Sequence, residues 1–230
     1  YVSDRADFKN VIHLYEEREP GRPFFMFNVT MQNHGGYTET YDNFPENYYK
    51  VGRSYTDANQ YLSLVHESDE AVKNLISYFS KVDDPVEIIF FGDHQPSLNS
   101  NFYPILNGKG LTGLTEDELE KLYTVPFFIW TNYDTPEETV DITSLDYLST
   151  MALERAGIEL SAYNKFLADM QEVVPAINSR GYYSKSAGGF LHIEEATGEE
   201  ADWIRNYNIL QYNNMFDKKE KSEVFFPYLK

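Results

Sequence analysis

The 230-residue sequence contains no cysteine, which excludes a disulfide framework, a thiol nucleophile and cysteine-ligated zinc. It has no apolar run of about 18 residues, so nothing in it reads as a membrane-spanning helix. No charged segment followed by an apolar stretch opens the chain, so no signal peptide is visible. Basic residues are scarce: 19 Lys+Arg stand against 37 Asp+Glu, for a net charge of −18. Binding a phosphate backbone requires basic surface that displaces counterions, and no nucleic-acid partner is expected. The sequence also lacks a Gly-x-Ser-x-Gly elbow, a P-loop and a Gly-x-Gly-x-x-Gly turn. Those absences disfavour a serine hydrolase of that type, a P-loop nucleotidase and a dinucleotide-binding dehydrogenase.

What is present is a core. Hydrophobic residues make up 42% and aromatics 16%, far from the composition of an acidic disordered chain. Asp4 is expected to cap a helix over residues 5–18, with Phe8, Val11, Ile12 and Tyr15 on one face. Pro20-Gly21-Arg22-Pro23 ends it, and the apolar run 24–31 reads as a strand buried on both faces. A polar loop rich in Gly, Asn and Tyr continues to about residue 53. Residues 56–81 show helical spacing, with Tyr61, Val65, Ser68, Val72, Leu75, Ile76 and Phe79 in one stripe. Residues 86–91 and 125–130 read as further strands, with Pro126 marking an edge or strand start. Thr115 and Glu118 form a capping box for a short helix. Helices are expected over 142–156 (stopped by Gly157), 163–174 and 199–216, and a short hairpin around 190–193. This alternation predicts an α/β fold with a mainly parallel sheet flanked by helices. A core of about 1–178 and a carboxyl-terminal subregion of about 179–230 divide it.

In open α/β sheets ligands bind beyond the carboxyl ends of the strands. The strand ending at Phe91 delivers Asp93 and His94 there, a carboxylate beside an imidazole that suits a divalent ion. The run 24–31 delivers Asn33-His34-Gly35-Gly36, where glycines permit close approach and His34 can contact a phosphoryl or sulfuryl oxygen. His13, His66 and His192 are assigned to helix surface or loop, and Asp69 to a buried cap or ion pair.

These pieces together resemble lipoteichoic acid synthases and related phosphoglycerol transferases, the sulfatase-like branch of the alkaline phosphatase superfamily. Pro23-Phe24-Phe25 leading to Thr30-Met31-Gln32-Asn33-His34-Gly35-Gly36-Tyr37 is similar to the family's strand and histidine loop. Ile88-Ile89-Phe90-Phe91-Gly92-Asp93-His94 resembles its metal-ligand motif, and Ser68-Asp69-Glu70-Ala71 the helix before it. Val125-Pro126-Phe127-Phe128-Ile129 and Tyr207-Asn208-Ile209-Leu210-Gln211-Tyr212 are similar to the following strand and the closing segment.

The resemblance implies that Asp93 and His94 are metal ligands and that His34 contacts the substrate phosphate. Asn33 and Arg53 are candidate substrate-binding residues. The ion would be Mn or Mg foremost, with Zn or Ca as alternatives, weakly held by two protein ligands. The family works through a metal-bound nucleophile and a covalent enzyme intermediate. Only 33 residues precede His34, and no strand-end threonine among them matches that nucleophile. The chain is therefore expected to be the carboxyl-terminal part of a membrane-anchored enzyme of the extracellular face, itself soluble and inactive. The parent's substrate would be lipid-linked or a glycan.

Two other readings stay open: a sulfuric- or phosphoric-ester hydrolase of the same superfamily, and a non-catalytic glycan-binding domain. The latter rests on Tyr37, Tyr41, Tyr48, Tyr49 and Tyr55, whose rings can stack on sugars. Arg22, Lys50 and Arg53 flank His34 and read first as solvated surface charge, with a basic pocket for an anionic substrate as the alternative. An incomplete sheet leaves an edge, so a homodimer or a swapped sheet is expected. Light scattering that finds only monomer over a wide concentration range would contradict it.

Overall fold

A computed structural model describes residues 1–38, 55–217 and 220–227. The chain forms two compact units, Tyr1–Val86 with Gly92–Leu114, and Glu87–Phe91 with Thr115–Lys230.

In the first unit, α1 (Asp4–Glu16) packs on α2 (Thr56–Phe79). The cap of α1 is Ser3, whose hydroxyl accepts from the Ala6 N–H, and not the expected Asp4. Position decides this, because Asp4 is already helical and its side chain turns inward, 1% exposed. The contact between the helices is aromatic: Tyr15 meets Phe79 edge to face at 5.0 Å, while Phe8, Val72 and Leu75 are buried nearby in the sequence of each helix. Burying side chains of this size contributes about 1.5–3 kcal/mol each.

The run 24–31 is not a strand buried on both faces. It is extended and has no ladder partner among the described residues. Phe25, Phe27 and Val29 are 89%, 70% and 64% exposed, Phe24 and Asn28 are exposed as well, and only Met26 and Thr30 are half-buried. The apolar run has no neighbouring strand among the described residues to take its backbone hydrogen bonds or cover its side chains.

In the second unit, β1 (Glu87–Phe91) and β2 (Phe127–Thr131) pair antiparallel, with Ile89 opposite Ile129. Between them in the chain lie α3 (Tyr103–Asn107) in a region expected to be loop, and α4 (Glu116–Glu120). The α/β class stands, but the described pairings are antiparallel where a mainly parallel sheet was expected. The connection, residues 92–126, contains only the two five-residue helices α3 and α4 and no long crossover helix of the kind that joins parallel strands. The chain re-enters the ladder at the end it left, with Phe91 opposite Phe127. Phe90 and Phe128 stack across the ladder at 5.5 Å. The Thr115–Glu118 capping box forms as expected, with the Thr115 N–H donating to Glu118 Oε2 at 2.7 Å.

The core of this unit gathers α5 (Leu145–Arg155), α6 (Ala162–Val173), the hairpin of β3 (Gly181–Ser184) and β4 (Gly189–His192), and α7 (Gly198–Met215). Gly157 adopts φ +67°, the left-handed stop expected after α5. Tyr147, Leu167, Met170 and Tyr182 are all but inaccessible. Two polar groups inside are paired: the Tyr147 hydroxyl donates to the Val174 carbonyl at 2.7 Å, and Ser144 bridges both backbone groups of Ile177. Unpaired, each would cost about 1–3 kcal/mol.

Candidate functional site

Asp93 and His94 leave β1 in an exposed turn. The His94 N–H donates to Asp93 Oδ1 at 2.8 Å, so the carboxylate is fixed by its own neighbour. His94 Nδ1 lies 2.9 Å from the Gln95 carbonyl. A carbonyl only accepts, so the imidazole proton sits on Nδ1 and the Nε2 lone pair points outward. That lone pair is 3.7 Å from Asp93 Oδ2. Two donor atoms about 2.1 Å from a common tetrahedral ion stand about 3.4 Å apart, so the pair fits as two ligands of one divalent cation. A histidine bonded through its other nitrogen to a backbone carbonyl is the usual supporting arrangement for a metal ligand. Among the described residues, no group of three or more His, Cys, Asp or Glu side chains gathers to complete such a site. The chain after this turn is anchored at α2, where the Asn99 N–H donates to Asp57 Oδ2 at 2.6 Å.

The His34 loop belongs to the same unit as Asp93 and His94. His34 itself is exposed, its Nδ1 3.2 Å from the Tyr1 hydroxyl and its ring 5.4 Å from the Tyr1 ring. Three residues on, Tyr37 is buried and donates to the Asn33 carbonyl at 2.6 Å. Burial, then the neighbouring Tyr61 and the charge of Asp93, push its phenol up to about 12. The charge of Asp93 thus reaches the histidine loop at Tyr37. The sequence reading placed Tyr37 among sugar-stacking tyrosines, and burial removes it from that role. Its pattern carried no signal for the electrostatic influence of Asp93, 56 residues on in the chain.

Asn33 turns its amide inward to the Ser68 hydroxyl at 2.9 Å. Arg53 and Lys50 lie outside the described residues, as do Tyr41, Tyr48 and Tyr49. Tyr55 packs on Phe102 at 5.5 Å. Arg22 is exposed and pairs with Glu19 at 2.8 Å. Asp69 is exposed on α2 and is not the buried cap or ion pair expected of it, because it sits one residue past the buried Ser68.

Asp4, missed as anything but a cap, is held above its ordinary carboxyl value of 3.8, first by burial and further by the Asp7 charge, with hydrogen bonding from the Ser68 hydroxyl and the Gln32 backbone opposing. The folded state therefore prefers the protonated acid. Its contribution to stability is full below the unfolded value and is lost as pH rises through the folded value. Asp4→Asn is expected to gain in melting temperature relative to the wild type from acid to neutral pH, the difference vanishing at the acid end. A difference constant with pH would show that Asp4 titrates alike in both states.

The sulfatase family model matches residues 1–158. The chain belongs to the sulfatase family. Two curated relatives of this sulfatase-family chain come from Rhizobium meliloti (strain 1021). One, named for cyclic beta-1,2-glucan modification, is 28% identical over 243 residues, covering 98% of this chain and 36% of that protein. The capsular polysaccharide biosynthesis protein RkpI is 34% identical over 100 residues, 44% of this chain and 17% of its own. The solved structure of Streptococcus pyogenes phosphoglycerol transferase GacH in complex with sn-glycerol-1-phosphate matches with a TM-score of 0.64 at 18% identity. That match covers 92% of this chain and 48% of GacH. The fold is thus alkaline phosphatase/sulfatase-like, and the chain spans less than half the length of each of these proteins.

Proposed function

We propose that this chain is the ion- and phosphate-binding part of a metal-dependent phosphoglycerol, or more broadly phosphoryl-ester, transferase of the cell envelope. The observation that carries the reading is the Asp93–His94 turn, where the tautomer set by Gln95 aims the Nε2 lone pair beside a carboxylate oxygen at 3.7 Å. With the ring neutral, a divalent ion, Mn or Mg foremost, can take both atoms as ligands. A bound ion of this kind neutralises charge on a transferring phosphoryl group and lowers the pKa of an oxygen nucleophile. His34 supplies the substrate contact: when Tyr1 donates to Nδ1, the proton on Nε2 is the donor that a phosphate oxygen needs. The nucleophile that would carry the covalent intermediate is assigned to protein outside these residues.

The relatives named for cyclic beta-1,2-glucan modification and capsular polysaccharide biosynthesis support a glycan as substrate, and a lipid-linked donor and the extracellular face of the membrane complete the proposal. No helix among the described residues is long and apolar enough to cross a membrane. The test is to supply the full-length protein with phosphatidylglycerol labelled in its headgroup, a glucan acceptor and Mn²⁺. Label on the glucan supports transfer, release of free glycerol phosphate to water makes the protein an ester hydrolase, and no metal-dependent turnover of either kind overturns the proposal.

A further inference from the structure

The loop that carries His34 is fastened by side chains rather than by a strand ladder. Ser68, on the buried face of α2, is the hub. Its hydroxyl accepts from Gln32 Nε2 at 3.1 Å and from Asn33 Nδ2 at 2.9 Å, and donates to Asp4 Oδ2. Two bonds in and one out use both lone pairs and the proton, so the hydroxyl has one orientation. Gln32 closes the ring: its Oε1 accepts the Asp4 N–H at 3.1 Å, and its second Nε2 hydrogen goes to the Leu64 carbonyl at 3.1 Å.

Packing alone does not require this arrangement. Ser63, one turn earlier on α2 and equally buried, satisfies itself on the Asn59 carbonyl four residues back at 2.7 Å. Asp4 stands in the first turn of a helix, where a carboxylate facing water is favourable, yet it is 1% exposed. Asp4 Oδ1 and Asn33 Oδ1 are both buried without a hydrogen-bond partner among the described residues. Burial of that kind costs free energy and persists where the surrounding structure compensates for it.

We propose that Asp4 and Ser68 are positioning residues for His34, latching the Gln32-Asn33 segment to α1 and α2 so that the imidazole beyond it is held in one place. The proposal rests on the reading of His34 as the phosphate contact, and it moves Asn33 from substrate binding into the latch. Two helices remote from β1 in sequence thereby set the position of a group at the candidate site.

The test uses the 230-residue chain labelled with ¹³C at histidine, reading the imidazole Cε1–H signals. The five histidines report separately, and His192, in the other unit, is the reference. Ser68→Ala and Asp4→Ala are expected to shift and broaden the His34 signal while His192 stays fixed. Asp4→Asn keeps an oxygen that accepts from Ser68 and is expected to leave His34 where it was. A His34 signal unmoved in both alanine variants, with only a lower melting temperature, would overturn the latch and leave two packing residues. Should both alanine variants unfold, Gln32→Ala in the half-buried loop decides: displacement of His34 supports the latch and an unmoved signal overturns it. These spectra are taken without ligand. A separate titration with inorganic phosphate tests the phosphate role of His34, and silence there removes that role while the latch result stands.

Discussion

Alanine at Asp93 or at His94 is expected to lower metal-dependent turnover of the full-length protein by more than about a hundredfold while leaving its melting temperature unchanged. The size follows from metal chemistry: loss of a partner one step removed from a metal already costs about 10–100-fold, and a ligand itself costs more. The unchanged stability follows from exposure. The side chains of Asp93 and His94 are 84% and 74% exposed, and surface substitutions away from caps and networks usually stay within about 0.5 kcal/mol. Function and folding are therefore separable at these positions, which is rarely true of buried sites. Raising the Mn²⁺ concentration should recover part of the lost activity if affinity is what fell. Wild-type activation by Mn²⁺ in the Asp93→Ala protein would remove Asp93 from the site.

A second large effect is expected far from that chemistry, at Tyr147. This ring is wholly inaccessible in the core of α5, α6, β3 and α7. Truncation to alanine is expected to cost about 3–5 kcal/mol, the usual range for emptying a buried aromatic site. Against a total of about 5–15 kcal/mol that is a large share of the stability. At about 2–4 °C per kcal/mol for a chain of this size, the melting temperature should fall by roughly 6–20 °C. Tyr147→Phe separates ring from hydroxyl: it leaves the Val174 carbonyl without its 2.7 Å donor and should cost about 1 kcal/mol. Burial pushes the Tyr147 phenol well above its ordinary value, so it stays neutral throughout the accessible range and alkali will not mimic the loss. Denaturation of both variants side by side checks the prediction, and equal losses would mean that the hydroxyl, and not the ring, holds the core.

Local chemistry in the sequence accounts for what could be read there. Thr115 and Glu118 satisfy each other three residues apart, Gly157 meets a left-handed stop, and the stripe through Val72, Leu75 and Phe79 fixes the face of α2. The site motifs were legible because Asp93 follows an unbroken apolar strand and His34 follows another extended run. Strand direction was not legible, since each strand's residues are the same whichever way its neighbour runs. The exposure of Phe25 and Phe27 was hidden for a related reason: an apolar run records what a segment prefers, not whether a partner is beside it. Asp4 and Ser68 escaped because their significance lies in bonds spanning 28 or more residues, which no spacing rule encodes.

The two units interleave along the chain, and this has a consequence for how the protein is made. β1 leaves the ribosome before residues 92–114, which belong to the first unit, and well before its partner β2. The first unit is still incomplete when β1 emerges, and β1 must wait unpaired until residues 127–131 follow. No single cut releases either unit intact: cleavage after Val86 strips the first of Gly92–Leu114, and cleavage after Leu114 strips the second of β1. Translation order thus holds an apolar strand, Ile88 to Phe91, open to the wrong neighbours during synthesis, and a chaperone that covers it would act in that interval.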